Sequence, residues 1–280
     1  MTKQVDLSSI STTGPKDRDK EDKKKQTIAL LKKVYKLQQL LYASKQYGIL
    51  VIFQGLDASG KDGVCRSVFG QLNPLGIDFV SRKAPTEEER LHDYLRRLHA
   101  KLPARGMIQV FNRSYYEDIL VPTVLKTHNK KEIKKRYDQI NRFEKYMEEN
   151  NIKVIKCFFA VSEEVEKERM EERLENPEKF RKHNDSDRDT LELRSKYVQV
   201  YEKILTKCNN PERHYIPADT NRSKNYAVAK VLYEQLRSLE LDRPELKTEW
   251  SLDEYLENVE EIDEIHELKE KLVKSNKKDS

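Results

Sequence analysis

The sequence predicts an α/β fold: a five-stranded parallel sheet with helices on both faces. Three observations carry the expectation. Short apolar runs alternate with segments of helical period along the middle of the chain. The first of these runs opens directly into a glycine-rich turn and a new helix. At 280 residues the chain is long enough to bury one sizeable core.

Residues 1–25 are polar and read as a disordered N-terminal arm. From Gln26, Leu30, Val34, Leu37 and Leu41 fall on one helical face, and Gly48 ends that helix. Ile49-Leu50-Val51-Ile52-Phe53 is the first strand. A helix follows through Val64, Val68, Phe69 and Leu72 and stops near Asn73-Pro74. Ile77 to Val80 is the second strand. Thr86-Glu87-Glu88-Glu89 caps a helix carrying Leu91, Tyr94, Leu95 and Leu98. Met107 to Phe111 is the third strand. Lys130 to Asn150 is a long helix with Ile133, Tyr137, Ile140, Phe143 and Met147 inward. Val154 to Val161 is the fourth strand, Tyr215 to Ala218 a short fifth, and a helix near Lys224 to Leu239 closes the domain.

Between the fourth and fifth strands the chain forms charged helical stretches around a break at Asn176-Pro177. Basic residues placed there suit a lid that closes over phosphates, at about 165–200. The domain is expected over 26–244. Beyond it, 245–280 reads as an amphipathic, acidic C-terminal helix.

The formal charge of +5 conceals an asymmetry. Residues 245–280 hold 12 acidic and 6 basic residues, so the rest holds 48 basic against 37 acidic. A basic body of this kind suits an anionic partner. No apolar run approaches a membrane-spanning length, and the N-terminus lacks a signal-peptide core. Cys65, Cys157 and Cys208 show neither metal nor disulfide spacing, which fits a reducing, cytoplasmic setting.

Gly55-Leu56-Asp57-Ala58-Ser59-Gly60-Lys61-Asp62-Gly63 is the stretch that carries chemistry. Its glycines let backbone N–H groups converge on an anion, and the next helix adds its positive end. Lys61 is placed to reach phosphate oxygens. A Ser or Thr hydroxyl usually follows this lysine and holds Mg²⁺; here Asp62 offers a hard anionic oxygen instead. Ligands in an open α/β sheet sit beyond the carboxyl ends of the strands. Ser81 to Thr86 and Asn112 to Asp118 follow the second and third strands, which adds cations, donors and acids to the same end. Phosphoryl transfer needs that mixture and little covalent chemistry from the protein. The six histidines are dispersed, and no Ser-His or Cys-His pair is called for.

The loop, then Asn73-Pro74-x-Gly76, Lys83-x-Pro85 and Phe111-Asn112-Arg113-Ser114-x-Tyr116-Glu117, resembles the polyphosphate kinase 2 family over about residues 30–240. The resemblance implies a three-layer α/β/α P-loop kinase-like sandwich with a helical lid, and assembly as dimers or tetramers. It implies Mg²⁺, with Mn²⁺ able to replace it, and phosphorylation of nucleotides by inorganic polyphosphate. The stretch Phe111-Asn112-Arg113-Ser114-Tyr115-Tyr116-Glu117-Asp118-Ile119-Leu120-Val121 resembles the branch that accepts both AMP and ADP. The lid departs from the family: Pro177 to Asn184 contains no tryptophan, and the chain's single one is Trp250.

Residue by residue, the resemblance places Gly55, Ala58, Ser59, Gly60, Lys61 and Gly63 around the phosphates. Asp62 and Glu117 would hold the metal. Asp57 would orient or deprotonate the acceptor phosphate. Arg113 would stabilise the transferring group, with Asn112 positioning it. Lys83, Arg169, Arg173, Lys179, Arg181 and Lys182 would line a basic path for polyphosphate. The partners implied are polyphosphate and adenine nucleotides, with neither membrane nor nucleic acid. An ATP-dependent nucleotide kinase on the same fold is one alternative. Asp62 and Lys83-x-Pro85 speak against it. A non-catalytic P-loop module binding anions or nucleic acid is another, and such a module gains nothing from Asp57, Asp62 and Glu117 beside its phosphates.

Overall fold

The computed structural model describes residues 4–14, 20–81, 84–182 and 191–244. Five parallel strands form one sheet: β1 (Gly48–Gly55), β2 (Ile77–Ser81), β3 (Ile108–Asn112), β4 (Ile152–Ala160) and β5 (Arg213–Pro217). Their order is β2-β3-β1-β4-β5. β1 is central and buried along its whole length, which suits its unbroken apolar run. Ile49 pairs with Ile108 of β3, and Val51 with Ile155 of β4. The chain leaves β1 toward β2 and β3, then crosses to β4 and β5. The switch in direction lies at β1, which opens a crevice at its carboxyl end.

The helices in chain order are α1 (Lys20–Ser44), α2 (Lys61–Ser67), α3 (Glu87–Arg90), α4 (Arg96–His99), α5 (Glu117–Val124), α6 (Lys130–Glu149), α7 (Glu163–Glu175), α8 (Arg194–Lys207) and α9 (Asn221–Arg237). α1 packs along α9, which also touches β5 and α2; α6 packs on β4, and α5 lies against α6 and α8. Val34, Leu41, Val228 and Leu232 are fully buried beneath the first group, and Ile140 and Met147 beneath the second. Among the described residues, no helix is long and apolar enough to cross a membrane.

The structure departs from the sequence expectations at two places. Residues 4–14, expected to be disordered, pack on the body. The Val5 amide donates to Thr206 Oγ1 at 2.9 Å, Leu7 N to Glu202 Oε1 at 3.1 Å, and Asp219 N to Thr12 O at 3.1 Å. These contacts satisfy backbone groups that composition alone leaves to water. The single helix expected after Thr86 is two short ones. The capping box between Thr86 and Glu89 forms as expected, but Asp93 Oδ1 accepts from Leu95 N and Arg96 N and starts a second helix. The segment after β3 is helical from Glu117, although Pro122 sits inside it. The acidic segment 245–280, with Trp250, lies outside the described residues.

The Asn73-Pro74-x-Gly76 motif has a local cause. Gln38 of α1 donates to Asn73 O and accepts from Asn73 N, both at 2.9 Å. A side chain at Gly76 would collide with that amide, 2.8 Å from its nitrogen.

Candidate active site

The loop between β1 and α2 turns sharply, with Ala58 at φ 54° and Gly60 at φ 84°. Gly60 is required by its left-handed backbone, and an added Cβ would also displace the end of the Lys224 side chain. At Gly63, on the first turn of α2, an added Cβ meets nothing within 4 Å. Two substitutions in one loop should therefore behave oppositely. Gly60→Ala is expected to cost about 1–3 kcal/mol. Gly63→Ala is expected to stabilise by about 0.4–1 kcal/mol, since it lowers the entropy of the unfolded chain. Thermal melts of both variants check this.

Lys61 is buried and folds back over its own loop. It donates to Gly55 O at 3.0 Å, Leu56 O at 2.9 Å and Ser59 Oγ at 3.1 Å. Burial lowers its pKa to about 8, helped by the Arg113 charge and opposed by Asp57, Glu117 and Asp62. The ammonium is thus held where oxygens converge and gains from an incoming anion.

β3 delivers Asn112 and Arg113 beside this loop. Arg113 has φ 68°, and its amide donates to Phe53 O at 2.9 Å, which ties the turn to β1. Its guanidinium donates to Asp57 Oδ1 at 2.5 Å. Burial disfavours the Arg113 charge, but Asp57, Glu117, Tyr201 and Asp62 outweigh it and raise the pKa. Asn112 Nδ2 donates to Asp62 Oδ1 at 2.5 Å, and Gln54 Nε2 donates to Glu117 Oε1 at 2.5 Å. The structure therefore gathers Asp57, Lys61, Asp62, Asn112, Arg113 and Glu117 at one crevice.

These carboxylates suit Mg²⁺. Among the described residues no group of three or more His, Cys, Asp or Glu forms a protein cage. Asp62 and Glu117 each have one oxygen oriented by an amide, and their second oxygens make no hydrogen bond among the described residues. Mg²⁺ usually takes one or two carboxylates and completes its shell with water and substrate phosphates, so the donor set fits.

The residues expected in a lid divide. Arg169 reaches the loop, but its guanidinium donates to backbone carbonyls: Ala58 at 2.9 Å, Ala218 at 3.0 Å and Asp219 at 2.7 Å. In this arrangement it staples the loop after β1 to the end of β5. Arg173 is half-buried in the last turn of α7. Lys83 and the side chains of Lys179, Arg181 and Lys182 lie outside the described residues.

Several residues at the site carry no motif and were missed in the sequence. Gln54 is buried at the end of β1, donates to Tyr201 Oη at 2.9 Å and accepts from Ser114 Oγ at 3.2 Å. Its one signal was a polar side chain in an apolar strand. Tyr201 of α8 donates to Gly55 O at 3.1 Å. Arg194 of α8 pairs with the buried Glu166 of α7 at 2.8 Å and joins the two helices. Burial raises the Glu166 pKa, against Arg194. No sequence spacing points to these contacts, because they join segments far apart in the chain.

The matched family is decided by extent as well as motif. The polyphosphate kinase 2 (PPK2) family model matches residues 17–246. The chain belongs to the polyphosphate kinase 2 family. It is 37% identical over 226 residues to an AMP/ADP-polyphosphate phosphotransferase of Meiothermus ruber, covering 80% of this chain and 85% of that protein. It is 36% identical over 223 residues to an ADP-polyphosphate phosphotransferase of Rhodopseudomonas palustris, covering 75% and 77%. Among solved structures, polyphosphate kinase 2 from Arthrobacter aurescens TC1 superposes with a TM-score of 0.86 at 29% identity, over 92% of this chain and 93% of that one. The five-stranded parallel sheet and its flanking helices are thus the family's α/β/α sandwich.

Proposed function

We propose that this polyphosphate kinase 2 transfers phosphoryl groups from inorganic polyphosphate to AMP and ADP, giving ADP and ATP. The observation that carries this reading is the match, over 80% of the chain, to a relative named for both acceptors. The crevice at the end of β1 supplies suitable chemistry.

The acceptor's phosphate oxygen attacks the terminal phosphorus of polyphosphate. The P–O bond to the next phosphate breaks in line, and the donor leaves one unit shorter, with no phosphoenzyme. The same steps run in reverse. Lys61 and the loop amides from Gly55 to Gly63 hold the phosphates that change hands. Asp57 orients the acceptor phosphate, or takes its proton, once Arg113 turns from Asp57 to the transferring group. Arg113 then carries the charge that spreads over that group's oxygens, and Asn112 positions Asp62 and Arg113. Asp62 and Glu117 would hold Mg²⁺, or Mn²⁺ in its place, which neutralises phosphate charge when bound. The helices α7 and α8 form the lid, whose basic side chains exclude water as it closes. The protein acts as a homo-oligomer, a state that light scattering would test.

Nucleotide formation from AMP, then from ADP, with long-chain polyphosphate and Mg²⁺ tests the proposal. ATP is expected from AMP, with Asp62→Asn lowering the rate at least about a hundredfold. Product from only one acceptor would keep the family and reject the dual-acceptor reading. No product from either would overturn the proposal.

A further inference from the structure

A groove of about 620 Å³ lies between α1, the end of α2 and the start of α9, and none of Asp57, Lys61, Asp62 and Arg113 lines it. Its charged lining is entirely cationic: Lys24, Lys32 and Lys36 of α1, and Arg222 of α9. All four are exposed, and none makes an ion pair or side-chain hydrogen bond among the described residues. Some exposed lysines elsewhere, Lys145, Lys167 and Lys230 among them, have carboxylate partners. Four like charges around one groove repel each other and favour a shared polyanion.

The groove adjoins the loop after β1 through the first turn of α9. Lys224 Nζ packs against Gly60, as the space needed for a Cβ there shows. Arg222 and Asn225, on the same turn of α9, line the groove. α1 and α9 run side by side in the same direction, since Lys23 lies over Tyr226 and Lys33 over Tyr233. The α1 lysines therefore lead away from the loop in order. Lys32 is ~12 Å and Lys36 ~18 Å beyond Lys24 along the helix axis.

We propose that the α1 face of this groove is a track for the part of the polyphosphate chain that extends beyond the phosphate loop. The inference rests on the polyphosphate reading and deepens it. The reacting terminus needs only the loop and the crevice. A long donor has further charged units that must lie somewhere, and the row of unpaired lysines neutralises them. Ile28 and Tyr35 also line the groove and remain partly exposed, at 48% and 37%. Such a track makes the enzyme selective for long chains, because a three-phosphate donor ends before it reaches Lys36.

The triple variant Lys24→Gln, Lys32→Gln, Lys36→Gln tests this, since Gln suits a helix and these residues touch no part of the reacting centre. With long-chain polyphosphate its KM is expected to rise roughly tenfold. The slope of log KM against log salt should fall by about 2. With tripolyphosphate, kcat and KM should stay within about twofold of the parent protein. An unchanged long-chain KM, or equal losses on both donors, would overturn the track. Calorimetric titration of both proteins with long-chain polyphosphate, and separately with single-stranded RNA, gives an answer that needs no turnover. Weaker polyphosphate binding in the variant supports the track even if the parent protein phosphorylates neither acceptor. Weaker RNA binding with unchanged polyphosphate binding would overturn it.

Discussion

Lys61→Met should lower kcat for phosphoryl transfer by about 10²–10³-fold while leaving the fold intact. The side chain is buried, so a methionine of similar length fills its place. What disappears is a positive charge aimed at the converging oxygens of the loop. The same residue should set the alkaline limb of activity. Burial favours the neutral amine, and the pKa of about 8 means that the free enzyme loses the charge as pH rises past that value. Hence kcat/KM should fall above pH 8. A bound phosphate favours the charged form, so the limb in kcat should lie at higher pH than the limb in kcat/KM. A pH series at saturating and limiting polyphosphate reads both. If Lys61→Met keeps the limb near pH 8, another group titrates there and the assignment fails.

Glu144→Ala should destabilise the protein by about 3–5 kcal/mol. Glu144 is fully buried and holds three donors: Lys156 Nζ at 2.9 Å, Tyr115 Oη at 2.7 Å and Tyr116 Oη at 2.5 Å. Lys156 is itself 1% exposed, and burial lowers its pKa against the pull of Glu144. Removing the carboxylate leaves a buried ammonium and two buried phenols without that acceptor. The loss reaches the site, because Tyr115 and Tyr116 directly follow Arg113 and Ser114 in the chain. Urea denaturation should show a lower midpoint with an unchanged slope. A loss below about 1 kcal/mol would mean that the cluster is not held as an ion pair.

Much of the site was legible before the structure. The loop from Gly55 to Gly63 obeys local rules: an apolar strand, glycines where the backbone turns left-handed, and a lysine at the start of a helix. Asn112, Arg113 and Glu117 were legible as a cluster at a strand end, because parallel strands present their carboxyl ends on one side. Arg169 shows the limit. Its position in the lid suggested a substrate contact, whereas its three carbonyl partners come from the loops after β1 and β5. Charge can be read from a sequence; the identity of the oxygen that a guanidinium meets cannot. Gln54, Tyr201 and Glu166 were missed for the same reason, as each is defined by a partner at least 28 residues away.

The sequence by itself determined the alternating strands and helices, the glycine-rich loop after β1 with its aspartate after the lysine, and the family. These depend on periodicity, backbone preference and residues adjacent in the chain. Only the tertiary structure decided that Asp57 meets Arg113, that Asn112 meets Asp62, and that Lys224 presses on Gly60. It also decided that the N-terminal arm packs on α8, and that three lysines of α1 share a groove with Arg222. Each of these joins segments whose distance in space is fixed by strand order and helix packing, and no local preference encodes that distance.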